Sequence, residues 1–312
     1  MKKKLFEIIS TLFVISILAF IFIHISPGEP AENYLRASRL PITETLLQQK
    51  REELGLNQPL IMQYLIWLKN VLKADFGYSF LRKEPAMALV IKSLYTTFQL
   101  SIFSSLLIIA FALPLGMISA IKREGLIDKL IQGLSFIFVS IPVFWLGFSL
   151  ILVFSVKLRW LPVSGRGGFR NFILPAITLS LPFIGQYTGI VRKAVIDGLE
   201  EHFLENAVLR GLKNKYIICN YYLRASWVPI LTAFSLSYIY IMTGSILVEE
   251  IFAWPGIGTL FIKALQAGDI PLIQACILVF ALLFISINYF MSYLLRYLDP
   301  RLRRGETDEK KY

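Results

Sequence analysis

The chain has 312 residues, 56% of them hydrophobic, with a net charge of +11 and a mean hydropathy of +0.63. Repeated apolar runs, each about 20 residues or longer and so able to cross ~30 Å of hydrocarbon as helix, exclude an ordinary soluble protein. The basic residues gather at the ends of those runs and form no aromatic-interleaved patch, which excludes a nucleic-acid binder.

Six runs follow in chain order: Leu5 to Ile25, Leu94 to Ile121, Ile131 to Val156, Ile173 to Val195, Val228 to Val248 and Leu272 to Tyr297. None alternates with period two, so the expectation is an all-α polytopic membrane protein with six transmembrane helices, not a barrel. The first run follows Lys2, Lys3 and Lys4 but exceeds a signal-peptide core and has no small-x-small cleavage site, so it reads as a retained anchor over residues 1–25. Lys122, Arg123, Lys129, Arg192, Lys193 and the basic C-terminal tail fall on one side when both termini are placed in the cytoplasm, as the positive-inside rule requires.

Residues 26–93 form a helical extracytoplasmic segment in this topology. Gly55 is expected to end one amphipathic helix and Pro59 to open the next. Leu60, Tyr64, Trp67, Leu68 and Val71 recur at helical spacing and give the second helix an apolar face that must pack on something. Residues 94–297 are the five-helix transmembrane core, and 298–312 a cytoplasmic tail.

Between the fourth and fifth runs, residues 196–227 carry a charged pattern that a solvated loop would not need. Glu200, Glu201 and Glu205 lie early in a first helix and Lys213 and Lys215 beyond its end, which complements the helix dipole, and Gly211 is a candidate C-cap. A second helix from about Asn214 would place Ile217, Ile218, Tyr221 and Tyr222 on one apolar side. The result is a compact helix-turn-helix knob.

Polar residues inside the spans either line a pathway or bond other helices. The pathway candidates are Gln99, Gln186, Tyr187, Ser237, Tyr238 and Asn288. Pro114, Pro142 and Pro182 lie within spans and are candidate kinks. After the fifth run, "IFAWPGIG" places Trp254 where it can occupy the membrane interface, while Pro255 and Gly256 force a tight bend; all three are candidates for an external gate. Cys219, Cys276 and the histidines His24 and His202 are dispersed, so no metal site is expected in this chain.

Glu205-Asn206-Ala207, three residues and Gly211, with Pro229 eighteen positions on, resembles the EAA loop of ABC-importer permeases. Seven further stretches in order resemble the dipeptide, oligopeptide and nickel branch of that family: "SPGEP" from Ser26, "LGLNQPL" from Leu54, "DFGYSF" from Asp75, "IPVFWLG" from Ile141, "LPVSG" from Leu161, "IFAWPGIG" from Ile251 and "LDPRLRR" from Leu298. "NYLRASRLPIT", "SGRGGFRNFILPA" and "LRGLKNK" are most similar to the nickel permeases of the branch. Asn206 departs from the usual second alanine of the loop, and His202 from a common acidic residue.

The resemblance implies an ABC type I importer permease fold and a five-part complex with a homologous second permease, two cytoplasmic ATPase subunits and an extracytoplasmic solute-binding protein. It implies that Glu205, Asn206, Ala207, Val208, Arg210, Gly211, Leu212 and Lys213 seat in the ATPase, and that ATP and magnesium are bound there, with no cofactor in this chain. The cargo implied is nickel, free or chelated, in a bacterial or archaeal cell membrane; di- and oligopeptides are the alternative. The residues themselves show no Walker A, HExxH or GxSxG sequence, so neither ATP hydrolysis nor a hydrolytic centre is expected. The competing class, an autonomous secondary transporter or channel, ordinarily carries ionisable groups at mid-membrane, and these spans hold almost none.

Overall fold

The computed structural model describes residues 2–25, 28–165, 167–199, 238, 241, 242 and 245–298. Helix is the only regular structure among them, apart from one β-bridge between Tyr78 and Pro85. The helices are α1 (Lys2–Ile25), α2 (Pro30–Ala37), α3 (Glu44–Glu53), α4 (Leu60–Val71), α5 (Ala86–Ile121), α6 (Leu126–Ser140), α7 (Val143–Leu150), α8 (Phe169–Leu199), α9 (Ile257–Ala267) and α10 (Ile270–Leu298). A π-helical turn, Ile151–Lys157, continues α7.

Among the described residues, three helices are long and apolar enough to cross a bilayer: α5, α8 and α10. A fourth crossing results if α6 and the α7 segment count as one span. The 36 residues of α5 extend about 54 Å at the α-helical rise, well beyond the hydrocarbon core, so its first turns precede the apolar run. α1 is helical throughout, with residues 6–21 as its apolar stretch.

The third run breaks at Pro142, one of the candidate kinks, and more sharply than expected of a single span. It is not one rod: α6 and the following helix meet at a 99° bend. Pro142 supplies no amide and drives Ile141 out of the helical region, to φ −75° and ψ 124°, so α6 stops at Ser140 and a new helix starts at Val143. The helix continues through Pro114 in α5 and through Pro175 and Pro182 in α8.

The chain divides into two compact units, residues 1–97 with 255–286, and residues 98–254 with 287–312. In the first, Ala86, Leu89 and Val90 of α5 pack with Ile257 and Leu260 of α9 and Leu272 and Cys276 of α10. Asp269 organises the turn between the last two. It caps α10, and its Oδ2 accepts hydrogen bonds from Ser79 Oγ (2.5 Å) and the Leu81 amide (3.1 Å). The preceding Gly268 ends α9 at φ +62°, and a Cβ there would lie 2.7 Å from Asn33 Cγ, so only glycine fits both the backbone and the space.

In the same unit Gly55, at φ +68°, follows α3, and Pro59 is the N-cap of α4, as expected from the sequence. The apolar face of α4 packs on Ser16 and Phe20 of α1: Tyr64 Oη lies 2.8 Å from Ser16 Oγ, and the Phe20 ring contacts those of Tyr64 and Trp67. Leu60, assigned to that face, is exposed instead.

The second unit is built on close helix approaches. A Cβ at Gly116 of α5 would lie 2.6 Å from Val191 Cβ of α8, and one at Gly185 of α8 would lie 2.5 Å from the Ser135 carbonyl oxygen of α6. Small residues at both crossings let the backbones meet, which is how helices associate where water supplies little driving force. Leu100, Ile108, Leu174, Tyr187, Ile241, Val248, Phe252 and Trp254 form its apolar core.

Candidate functional site

The coupling residues Glu205, Asn206, Ala207, Val208, Arg210, Gly211, Leu212 and Lys213 lie outside the described residues, as does Ser237. What the structure shows is the helix that leads to them. α8 runs unbroken from Phe169 to Leu199, and a polar cluster braces it seven positions before its last residue.

The centre of that cluster is Asp128, 3% exposed at the third position of α6. Arg192 of α8 grips it with both arms of the guanidinium, Nε to Oδ1 at 2.8 Å and Nη2 to Oδ2 at 2.7 Å. Ser119 Oγ of α5 donates to Oδ1, the Glu124 amide donates to Oδ2 at 2.9 Å, and Gln132 Nε2 donates to Ser119 Oγ at 3.0 Å. Three helices are thus tied to one buried carboxylate. Bidentate, charge-assisted bonds of this kind fix orientation as well as contributing energy.

The cluster escaped the sequence reading, which counted Arg192 only as a topology-setting charge. Two signals for it exist: an acidic residue at the third position of a helix that starts just after Gly125, and a single arginine inside the fourth apolar run. α5 holds a second unforeseen feature, the buried hydroxyls of Ser101, Ser104 and Ser105, which have no hydrogen-bond partner among the described residues. Their spacing of three to four residues marks one helical face.

The described pathway candidates all belong to the second unit. Gln99 on α5, Tyr238, and Asn288 on α10 are half-buried. Gln186 and Tyr187 are neighbours on α8 and point in different directions: Tyr187 is in the apolar core, whereas Gln186 is exposed. An exposed carboxamide on a helix of spanning length needs a polar environment or a partner helix.

Trp254 packs inside the protein. It is fully buried, its ring centroid 4.5 Å from that of Phe172 in an edge-to-face contact, and its amide donates to the Glu249 carbonyl at 2.7 Å. The preceding Ala253 takes φ +45°, which turns the chain sharply and carries the indole back into the core. On the other side of the turn, Thr96 Oγ1 donates to the Pro255 carbonyl at 2.5 Å, and the Ile257 amide donates to Thr97 Oγ1 at 2.9 Å. Gly256 is the N-cap of α9. Glu249 is also fully buried, and accepts from Ser245 Oγ at 3.2 Å.

Comparison with known proteins gives the family. Residues 112–304 match the family model of the binding-protein-dependent transport system inner membrane component, and residues 1–101 match the model of its N-terminal region. The chain is 33% identical over 302 residues to the glutathione transport system permease protein GsiC of Escherichia coli strain K12, covering 96% of this chain and 97% of that one. It is 33% identical over 301 residues to the protein of the same name from Pectobacterium atrosepticum. Among solved structures, an inward-facing MetNI methionine ABC transporter matches with a TM-score of 0.58 at 17% identity, over 68% of this chain and 97% of that one, which is a likeness of fold. A permease subunit of such an importer is not an enzyme: ATP is hydrolysed in partner ATPase subunits. The chain belongs to the binding-protein-dependent transport system inner membrane components, and is a multi-pass permease of an ABC importer of the dipeptide, oligopeptide and nickel type.

Proposed function

We propose that this chain pairs with a second, homologous permease to form the membrane passage for a short peptide, which a solute-binding protein delivers and two cytoplasmic ATPases drive. The observation that carries the coupling half of this reading is the brace on α8. A helix tied to α5 and α6 through Asp128 and Arg192 close to its end moves with them as a unit, so a displacement of residues 205–213 reaches the spans undamped. In this reading the chain crosses the membrane six times: α1, α5, the bent α6 and α7 pair, α8, the 228–248 run and α10. Both termini are cytoplasmic, residues 26–93 are external, and ATP and magnesium are held by the partners. Exposed Gln186 faces the passage or the second permease.

The peptide cargo is favoured by relatives named for glutathione, itself a tripeptide, at 33% identity over nearly the whole chain. A second reading, nickel transport, rests on the likeness of residues 33–43, 164–176 and 209–215 to nickel permeases. Reconstitution of the chain with its partner subunits in proteoliposomes, assayed with labelled glutathione, a labelled dipeptide and radioactive nickel, separates the two. ATP-dependent uptake of a peptide and not of nickel supports the first; the reverse replaces it with the second. In the same system Gly211→Trp abolishes uptake while leaving insertion intact, and undiminished uptake refutes the coupling role.

A further inference from the structure

Within the first unit lies a cavity of about 280 Å³ that the transport reading does not use. Three of the sequence stretches singled out above supply its wall: Pro30 from "SPGEP", Leu54 to Leu56 from "LGLNQPL", and Asp75 to Gly77 with Phe80 from "DFGYSF". Phe20 of α1, Trp67 of α4 and Phe76 line it with rings, and those of Phe20 and Trp67 are 6.0 Å apart between centroids. Its polar side chains are three carboxamides, Gln63, Asn70 and Gln274, and the Asp75 carboxylate.

Gln274 of α10 is the decisive one. Its side chain lines the cavity, the residue is only 6% exposed, and it has no hydrogen-bond partner among the described residues. The residue is buried as a whole while its carboxamide opens on the cavity, where an entering group can bond it. Gln63, which also lines the cavity, is by contrast engaged, its Nε2 donating to the carbonyls of Leu56 at 3.1 Å and Gln58 at 2.8 Å. Asp75 at the rim accepts the Gly77 amide at 2.9 Å through Oδ1, leaving Oδ2 without a partner among the described residues. Asn70 adds a further carboxamide. No lysine, arginine or histidine lines the cavity, so its only formal charge is the Asp75 carboxylate.

We propose that this cavity is a binding site for a primary ammonium carried on an apolar body. The ammonium has three N–H donors and no acceptor, which suits the oxygens of Asp75, Asn70 and Gln274, while the aromatic walls take the body and attract the cation through their ring faces. An anion of the same shape is excluded by the carboxylate, with no cation at hand to offset it. Two sources carry this chemistry: a free amphipathic amine, or the ethanolamine headgroup of a lipid with its chains against the apolar wall.

The test uses the full chain in phosphatidylcholine nanodiscs, with phenethylamine as the probe and 3-phenylpropionate as its anionic counterpart, followed by titration calorimetry. The expected result is saturable binding of the amine alone, weakened about tenfold or more by Asp75→Asn and by Gln274→Leu. Asp75 is on the rim, so its variant reports on the site even where Gln274→Leu disturbs packing; circular dichroism verifies the fold of both. Repeating the titration in phosphatidylethanolamine nanodiscs identifies the source: loss of phenethylamine binding assigns the headgroup, and unchanged binding assigns a free amine. Equal binding of amine and carboxylate, absence of saturable binding in phosphatidylcholine, or an unchanged affinity in Asp75→Asn overturns the proposal.

Discussion

Replacing Arg192 by methionine removes the cation from the α8 brace while keeping most of its apolar length. Asp128 then keeps Ser119 and the Glu124 amide but loses its only charged partner in the cluster, and at 3% exposure water cannot replace it fully. Breaking a buried ion pair from one side costs roughly 3–5 kcal/mol. The Arg192 side chain is 26% exposed and two hydrogen bonds to the carboxylate survive, so the expected loss is about 2–3 kcal/mol. Asp128→Asn keeps the shape but sets its amide nitrogen against two donors, the Glu124 amide and Arg192 Nη2, and leaves the guanidinium without its counter-charge, so it is expected to cost about as much, roughly 2–3 kcal/mol. The assay is a double-mutant cycle with Asp128→Ala and Arg192→Ala, read by reversible unfolding in mixed sodium dodecyl sulfate micelles and, separately, by ATP-driven uptake. The expected coupling energy is about 2 kcal/mol, with uptake in Arg192→Met falling further than the folded fraction does. Coupling below about 0.5 kcal/mol, or uptake that simply tracks the folded fraction, refutes the idea that the pair braces α8 for transmission.

Trp254→Ala empties a fully buried indole site beside Phe172 and is expected to cost about 3–5 kcal/mol in the same unfolding assay; a change below 1 kcal/mol would mean that the turn does not depend on that anchor. Gly185→Ala places a methyl group 2.5 Å from the Ser135 carbonyl oxygen, so α6 and α8 must separate, at about 1–3 kcal/mol; cysteine crosslinking between the two helices should become slower. Glu29 is held below the ordinary carboxylate range chiefly by its hydrogen bonds from Arg51, opposed by burial. A lowered folded value means that the pair contributes above the ordinary glutamate value and is lost as pH falls through the lowered one. Stability should therefore decline on acidification in the wild type and slightly less steeply in Glu29→Gln, since solvent screens so exposed a pair; parallel acid profiles would show that it contributes nothing.

Much of this molecule is legible from local pattern alone. Apolar runs of spanning length mark α5, α8 and α10, because helix length against bilayer thickness is a one-dimensional constraint. Gly55 and Pro59 punctuate α3 and α4 where their backbone preferences dictate, and the place of the Pro142 break follows from proline chemistry, although its 99° angle does not. The family is legible too, since its stretches recur in order along the chain. What only the tertiary structure decides is which polar groups find each other: Asp128 with Arg192 across 64 residues, Ser79 with Asp269 across 190. A hydropathy pattern records that a residue is polar and not what it pairs with, and partner choice depends on which backbones approach closely, as they do at Gly116 and Gly185. The same limit explains Trp254, whose sequence position fits an interface while the turn at Ala253 puts the ring in the core, and Gln274, whose burial in an apolar helix becomes informative only when a cavity lies beside it.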